Sequence, residues 1–339
     1  MKPIRKYLSL LLCIALALTL AGCGADGQTV TDTSSAETAL ESGSDASVPS
    51  TLQETTTAEK TTTQITVHTT EKQATEKETE AQQMPVSKGM KILSVGNSLS
   101  RDGMHYLPRL LAEAGYTDIV VAYLYVGGCS LEEHTENAKS NRKAYDYFEN
   151  TGHGWSCKEN VSLKYGLGAQ KWDYVVLQQA SRLSGVNSSY RYLDELISFV
   201  WNNTRSKPEL LWHMTWAYEK GTELELFERY DYDQQKMYRQ TVSCIKEHIL
   251  TSSHISGVIP VGTAVQKARR TFIGDRITYD GRHMSRPLGR YLAGLVWFGY
   301  LTGCDVDSVK FNPDKTALDE KTVSAIKKSV KSALENHIK

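Results

Sequence analysis

The chain has 339 residues, of which 39 are Lys or Arg and 39 are Asp or Glu, so its formal net charge near neutral pH is zero. With no basic stripe and no interleaved aromatics, nucleic acid is not an expected partner. Hydrophobic residues make up 40% of the chain and only six residues are cysteine, which suits a domain with a large core and excludes a disulfide scaffold.

The first residues carry Lys2, Arg5 and Lys6, followed by an apolar run over 7–20 and then Leu20-Ala21-Gly22-Cys23. A charged start, a short apolar core and small residues before a cut form a secretory signal over 1–22, and the core is short for a membrane span. The order Leu-Ala-Gly-Cys resembles the lipobox of bacterial lipoproteins. That resemblance implies lipid on the Cys23 sulfur and attachment to the outer face of the cytoplasmic membrane. From 24 to about 87 the chain has no Phe, Trp or Tyr and is dominated by Thr, Ser, Glu, Ala and Gln. Such a segment buries too little apolar surface to offset its ordering entropy, so 23–88 reads as a flexible stalk. Its threonine runs at 55–57 and 61–63 suit O-linked sugar.

Residues 89–339 suit one α/β domain. Apolar, β-rich runs predict strands over 91–95, 119–125, 174–178, 210–215 and 257–261. After the first strand, Met104, Leu107, Leu110, Leu111 and Ala114 recur at helical spacing. Helical patterns also cover 131–148, 190–203, 234–250, 287–301 and the stretch from Leu318. Strands that are apolar throughout and alternate with helices predict a parallel sheet covered on both faces, a three-layer α/β/α sandwich. Ligands of such sheets bind at the carboxyl ends of the strands. Ser98, Gly127-Gly128 and Gln178-Gln179 all fall at or just past a predicted strand end. Cys129, Cys157, Cys244 and Cys304 lack metal-site spacing; an exported protein can pair them, and the sequence leaves the pairing open.

The first strand runs into Gly96-Asn97-Ser98, where a small residue and an amide let the chain bend and present the Ser98 hydroxyl. Far downstream, Asp280-Gly281-Arg282-His283 supplies an imidazole with a carboxylate three residues before it. A serine needs a base to attack near neutral pH, and the base needs a partner that fixes its tautomer and stabilises its cation. The two segments together predict a serine hydrolase with Ser98 as nucleophile, His283 as general base and Asp280 as its orienting acid. Without His283, Ser98 would read as a helix cap. A rival pair, Asp102 and His105, follows the serine too closely to lean across a site and reads as helix-start residues, where an acid favours the dipole. Trp212, Trp216 and Tyr218 end the fourth strand, placed for stacking on a sugar ring or for packing. His213 reads as a core histidine, and Glu132, Glu133 and His134 as a helix opening. No phosphate loop, nucleotide fingerprint or metal-ligand cluster appears, so no cofactor and no metal are expected.

Gly96-Asn97-Ser98 followed by Asp280-x-x-His283 resembles the SGNH or GDSL-like hydrolases, over about 90–303. The wording of 92–98, 172–179, 212–216 and 280–283 resembles a domain family of unknown function within that superfamily, to which esterase activity is ascribed. The resemblance implies a flavodoxin-like fold and an oxyanion hole with three donors. Two are the backbone amides of Ser98 and Gly128. The third is an asparagine side chain in the superfamily, but this chain has no Gly-x-Asn-Asp. Gln178 takes that place, with Gln179 as its alternate, as in similar acetylesterases acting on sialic acid and related sugars. A glutamine amide can donate the same bond from one methylene further out. Gln179 and Trp216 are the expected substrate contacts.

Two functions of different class follow. A lipid-anchored extracellular esterase, acting as a monomer, would remove acyl groups, above all acetyl, from carbohydrate or another small ester. The same fold and triad also serve lipases, thioesterases and acyltransferases. A non-catalytic glycan- or solute-binding surface lipoprotein would share the anchor and stalk. Retention of Ser98, Asp280 and His283 together favours the enzyme.

Overall fold

Apolar runs and helical patterns resolve into a seven-stranded sheet between two helical layers. The structure, a computed structural model, describes residues 88–336; the signal, Cys23 and nearly all of the stalk lie outside them. The strands are β1 (Lys88–Gly96), β2 (Tyr116–Tyr125), β3 (Tyr145–Asn150), β4 (Trp155–Val161), β5 (Tyr174–Leu177), β6 (Glu209–His213) and β7 (Gly257–Ile259). The helices are α1 (Ser98–Met104), α2 (Leu107–Glu113), α3 (Leu131–Lys139), α4 (Leu163–Leu167), α5 (Leu193–Asn203), α6 (Gln234–Cys244), α7 (Val261–Arg269), α8 (Leu288–Thr302) and α9 (Glu320–Glu335).

The sheet order is β4-β3-β2-β1-β5-β6-β7. β2, β1, β5, β6 and β7 are parallel, in the order of flavodoxin-like sheets. Side chains of β1 alternate between two cores: Met90 and Ile92 pack with α1, α2, α7, α8 and α9, while Leu93 and Val95 pack with α3, α4, α5 and α6. Both faces are covered, which is why the strand reads as continuous apolar sequence. Burying each such aliphatic side chain contributes roughly 1.5–3 kcal/mol.

Two expectations need correction. The helix expected over 131–148 ends at Lys139, Asn141 turns left-handed (φ 46°), and the chain continues as the antiparallel hairpin β3–β4 on the sheet edge. The sheet is therefore mixed. Tyr145 and Tyr147 are buried while Asp146 between them is less so, a two-residue period hidden behind the helical pattern. The helix expected after β1 is two helices, broken after Met104, and the first begins earlier, at Ser98, because the Asn97 side chain caps it. Asp102 and His105 thus sit near and just past the end of α1, not at its start. The four cysteines of the described residues are all free thiols.

Candidate active site

At the end of β1 the backbone turns directly into α1. Gly96 is required by space: a Cβ there would lie 2.1 Å from the Ser100 hydroxyl and 2.9 Å from the Gln178 side chain. Asn97 Oδ1 accepts the Leu99 N–H at 3.0 Å, and Asn97 Nδ2 donates to the Cys129 carbonyl at 3.1 Å. Asn97 therefore ties the nucleophile turn to the loop after β2. The Ser98 N–H, at the first helical position, has no intrahelical acceptor.

Ser98 Oγ donates to His283 Nε2 at 2.8 Å, and His283 Nδ1 donates to Asp280 Oδ2 at 2.6 Å. The carboxylate fixes the tautomer that leaves Nε2 free to accept from the serine. Asp280 Oδ1 accepts the backbone N–H groups of Arg282 at 3.0 Å and His283 at 2.7 Å. Partial burial pushes the Asp280 carboxyl up, but the bonds from the His283 ring and the two backbone amides outweigh it and hold the group below the usual carboxylate range.

The loop carrying Asp280 and His283 has no regular helix or strand, and tertiary bonds hold its shape. Gly281 is left-handed (φ 83°), and its carbonyl accepts the Glu219 N–H at 2.8 Å. Trp216 Nε1 donates to the Arg282 carbonyl at 2.6 Å. Thr278 and Met284 form an antiparallel bridge at the loop's base, and the Met284 N–H donates to Asp102 Oδ2 at 2.9 Å. Asp102 is fully buried and forms an ion pair with Arg290 at 2.7 Å. It thus joins α1, α8 and the base of the loop that carries Asp280 and His283. His105 is not the partner of Ser98. Burial and the charges of Arg290, Arg286 and Arg101 push it down to about 4.

Ser98 and His283 line a cavity of about 260 Å³ with Gly127, Gly128, Tyr125 and Tyr218. Gly128 is left-handed (φ 62°), and its carbonyl accepts from Arg182 Nη1 at 2.5 Å. Ser98, Gly128, Asp280 and His283 are thus brought together, whereas both glutamines and Trp216 are turned inward. Gln178 Oε1 accepts from Ser100 Oγ at 2.6 Å and His213 Nδ1 at 3.2 Å, and Gln178 Nε2 donates to Asn97 Oδ1 at 2.9 Å. Gln179 Oε1 accepts the N–H groups of Leu131 and Ala180, and Gln179 Nε2 donates to Ser189. Neither lines the cavity, so the expected side-chain oxyanion donor is absent from it. The reason is local: buried backbone and hydroxyl groups behind the nucleophile turn need those amides. Trp216 and Tyr218 are both buried: Trp216 acts as a brace, and Tyr218 stands behind the cavity wall, where its hydroxyl accepts from Ser181 Oγ at 3.2 Å. His213 is a core histidine, as expected, pushed down to about 3 by burial.

Three cavity residues, Arg101, Arg182 and Arg282, were not singled out in the sequence. Arg101 lies three residues after Ser98, one helical turn on, and Arg282 stands inside the Asp-Gly-Arg-His motif; nothing in the sequence marks Arg182.

The chain is similar to a solved DUF4886 family protein from Bacteroides uniformis, with 34% identity and a TM-score of 0.71 over 74% of this chain and 97% of that one. Likeness to two other solved structures is remote. LAE5, an alpha/beta hydrolase enzyme from the metagenome of Lake Arreo, has 13% identity and a TM-score of 0.37 over 65% of this chain and 97% of that one. A catalytic mutant of Axe2, an acetylxylan esterase from Geobacillus stearothermophilus, has 13% identity and a TM-score of 0.37 over 68% of this chain and 100% of that one. No curated protein matches. A family model described as a domain of unknown function, DUF4886, matches residues 91–331, and the chain belongs to that family.

Proposed function

We propose that the protein is a serine esterase that removes short acyl groups, above all acetyl, from carbohydrate. The observation that carries this reading is the unbroken chain of bonds from Ser98 through His283 to Asp280 at the wall of a cavity. Ser98 Oγ attacks the acyl carbonyl while His283 Nε2 takes its proton, and Asp280 stabilises the imidazolium. The carbonyl oxygen becomes an oxyanion beside the N–H groups of Ser98 and Gly128, two backbone donors that need no reorganisation. Collapse breaks the ester bond, and His283 returns the proton to the leaving alkoxide, leaving Ser98 acylated. Water, deprotonated by His283, then attacks the acyl-serine and releases the carboxylic acid and the free serine.

A cavity of about 260 Å³ holds a short acyl group and part of one ring, and the half-buried Tyr125 ring supplies a wall for a sugar face. Export and lipid attachment at Cys23, with 24–87 as a stalk, belong to the same proposal and rest on the sequence alone. Cys23→Ala is expected to release the protein from the membrane fraction or leave it unprocessed; normal cleavage with continued membrane attachment contradicts the anchor. The esterase reading is tested with para-nitrophenyl acetate, acetylated xylan and acetylated chitin fragments. Wild type is expected to release acetate from at least one of them and Ser98→Ala from none. Equal release by both, or none by wild type, overturns it.

A further inference from the structure

The cavity wall carries three guanidinium groups, Arg101, Arg182 and Arg282, and no carboxylate. In a chain of zero net charge this is a local excess of cation at the reacting serine. Arg182 is neutralised from behind: it donates to the Gly128 carbonyl and lies 3.6 Å from Glu133. Arg101 and Arg282 have no ion-pair partner among the described residues. The Nε of each is buried without a hydrogen-bond partner. The same holds for Nε of Arg290, so what sets Arg101 and Arg282 apart is the lack of an ion pair. Arg269 and Arg290, whose side chains are 4% and 5% exposed, each have a carboxylate at 2.7 Å. Half-buried cations without an ion-pair partner are costly, and the cost is recovered when an anion enters the cavity they both line.

The Arg101 side chain and the Arg282 backbone are held in place. The Arg101 guanidinium lies over the Tyr125 ring, 5.6 Å from its centre, which orients the fork. Arg282 is fixed at its backbone, where its N–H donates to Asp280 and its carbonyl accepts from Trp216. A guanidinium pair suits planar or tetrahedral oxyanions through paired N–H donors. We propose that the alcohol part of the substrate carries an anionic group, a carboxylate or a phosphate, bound by Arg101 and Arg282 beside the acyl group at Ser98. This rests on the esterase reading for the position of the acyl group, and the arginine pair itself is independent of turnover.

The test uses calorimetric binding to Ser98→Ala, which cannot turn ligand over. The ligands are an O-acetylated methyl glucuronoside, its neutral methyl ester, and an O-acetylated methyl glucoside phosphate. Charge-assisted bonds predict that at least one charged ligand binds about tenfold or more tighter than the neutral ester. The stronger of the two names the anion. Arg101→Gln in the same background is expected to reduce that preference about tenfold, and raised salt to shrink it without any further substitution. Equal binding of all three ligands, a preference for the neutral ester, or no binding at millimolar concentration overturns the proposal. Turnover of para-nitrophenyl acetate by wild type separates the two readings. An active enzyme without charge preference fails this inference alone, and an inactive protein with charge preference fails the esterase reading alone.

Discussion

The two halves of the bonded set Ser98, His283 and Asp280 are built in opposite ways. Ser98 stands at the end of a central strand, on the first residue of a helix, where β1 is flanked on both sides by parallel partners. Asp280 and His283 stand on an irregular loop, and the Asp280 carboxylate remains about one-third exposed. The first half takes its precision from the sheet. The second takes it from separate tertiary bonds: Trp216 to Arg282, Glu219 to Gly281, and Asp102 to Met284. A nucleophile on regular structure needs few dedicated supports, whereas a base on a loop is only as well placed as its braces.

Substitutions that break the loop's chemistry should have the largest effect. Asp280→Asn keeps the shape but removes the charge and favours the wrong tautomer, so kcat should fall about 10³–10⁴-fold with little change in KM. Removing a brace should cost less. Trp216→Phe leaves the Arg282 carbonyl without its donor, and kcat should fall on the order of tenfold through misplacement of His283, while Ser98 stays where β1 puts it. An unchanged kcat would mean the remaining braces suffice.

Acid should act on the buried framework. His134 and His213 are fully buried and pushed down by burial, to about 4 and about 3. An unfolded histidine binds a proton near pH 6.5, while the folded ones stay neutral until those lower values. The unfolded state therefore gains protons first as pH falls. Stability should be intact above pH 6.5 and drop through the window down to about pH 4, by about 1.4 kcal/mol per pH unit for each histidine, read from denaturant midpoints.

The smallest effect on turnover is expected at Gln178. Gln178→Ala strands the His213 N–H in a buried site and leaves the Ser100 hydroxyl with Ser94 alone, so it should lower stability by about 1–3 kcal/mol. The kcat of the folded fraction should stay within about threefold of wild type. A hundredfold loss in kcat with unchanged stability would return this side chain to the oxyanion hole.

How much could be read from sequence follows the same division. The turn at Gly96-Asn97-Ser98 and the Asp280/His283 pair were legible because each is a short motif whose chemistry is local. The parallel core was legible because both faces of its strands are buried. The direction of the Gln178 amide was not, since it depends on the Ser100 hydroxyl, the His213 imidazole and the Asn97 amide oxygen. The β3–β4 hairpin was hidden because the buried face of α3 continues in register into Tyr145 and Phe148. The cavity arginines were invisible for a simpler reason: each is a single charge, and only the fold brings them together.

The central claim is that the loop base activates the sheet-borne serine. Labelling with a fluorophosphonate, followed by mass analysis of the modified peptide, tests it most directly. Wild type should be modified at Ser98, and His283→Ala should lose at least about a hundredfold of the labelling rate, the scale of a lost general base. No modification of wild type, modification at another residue, or an unchanged rate in His283→Ala would contradict the account.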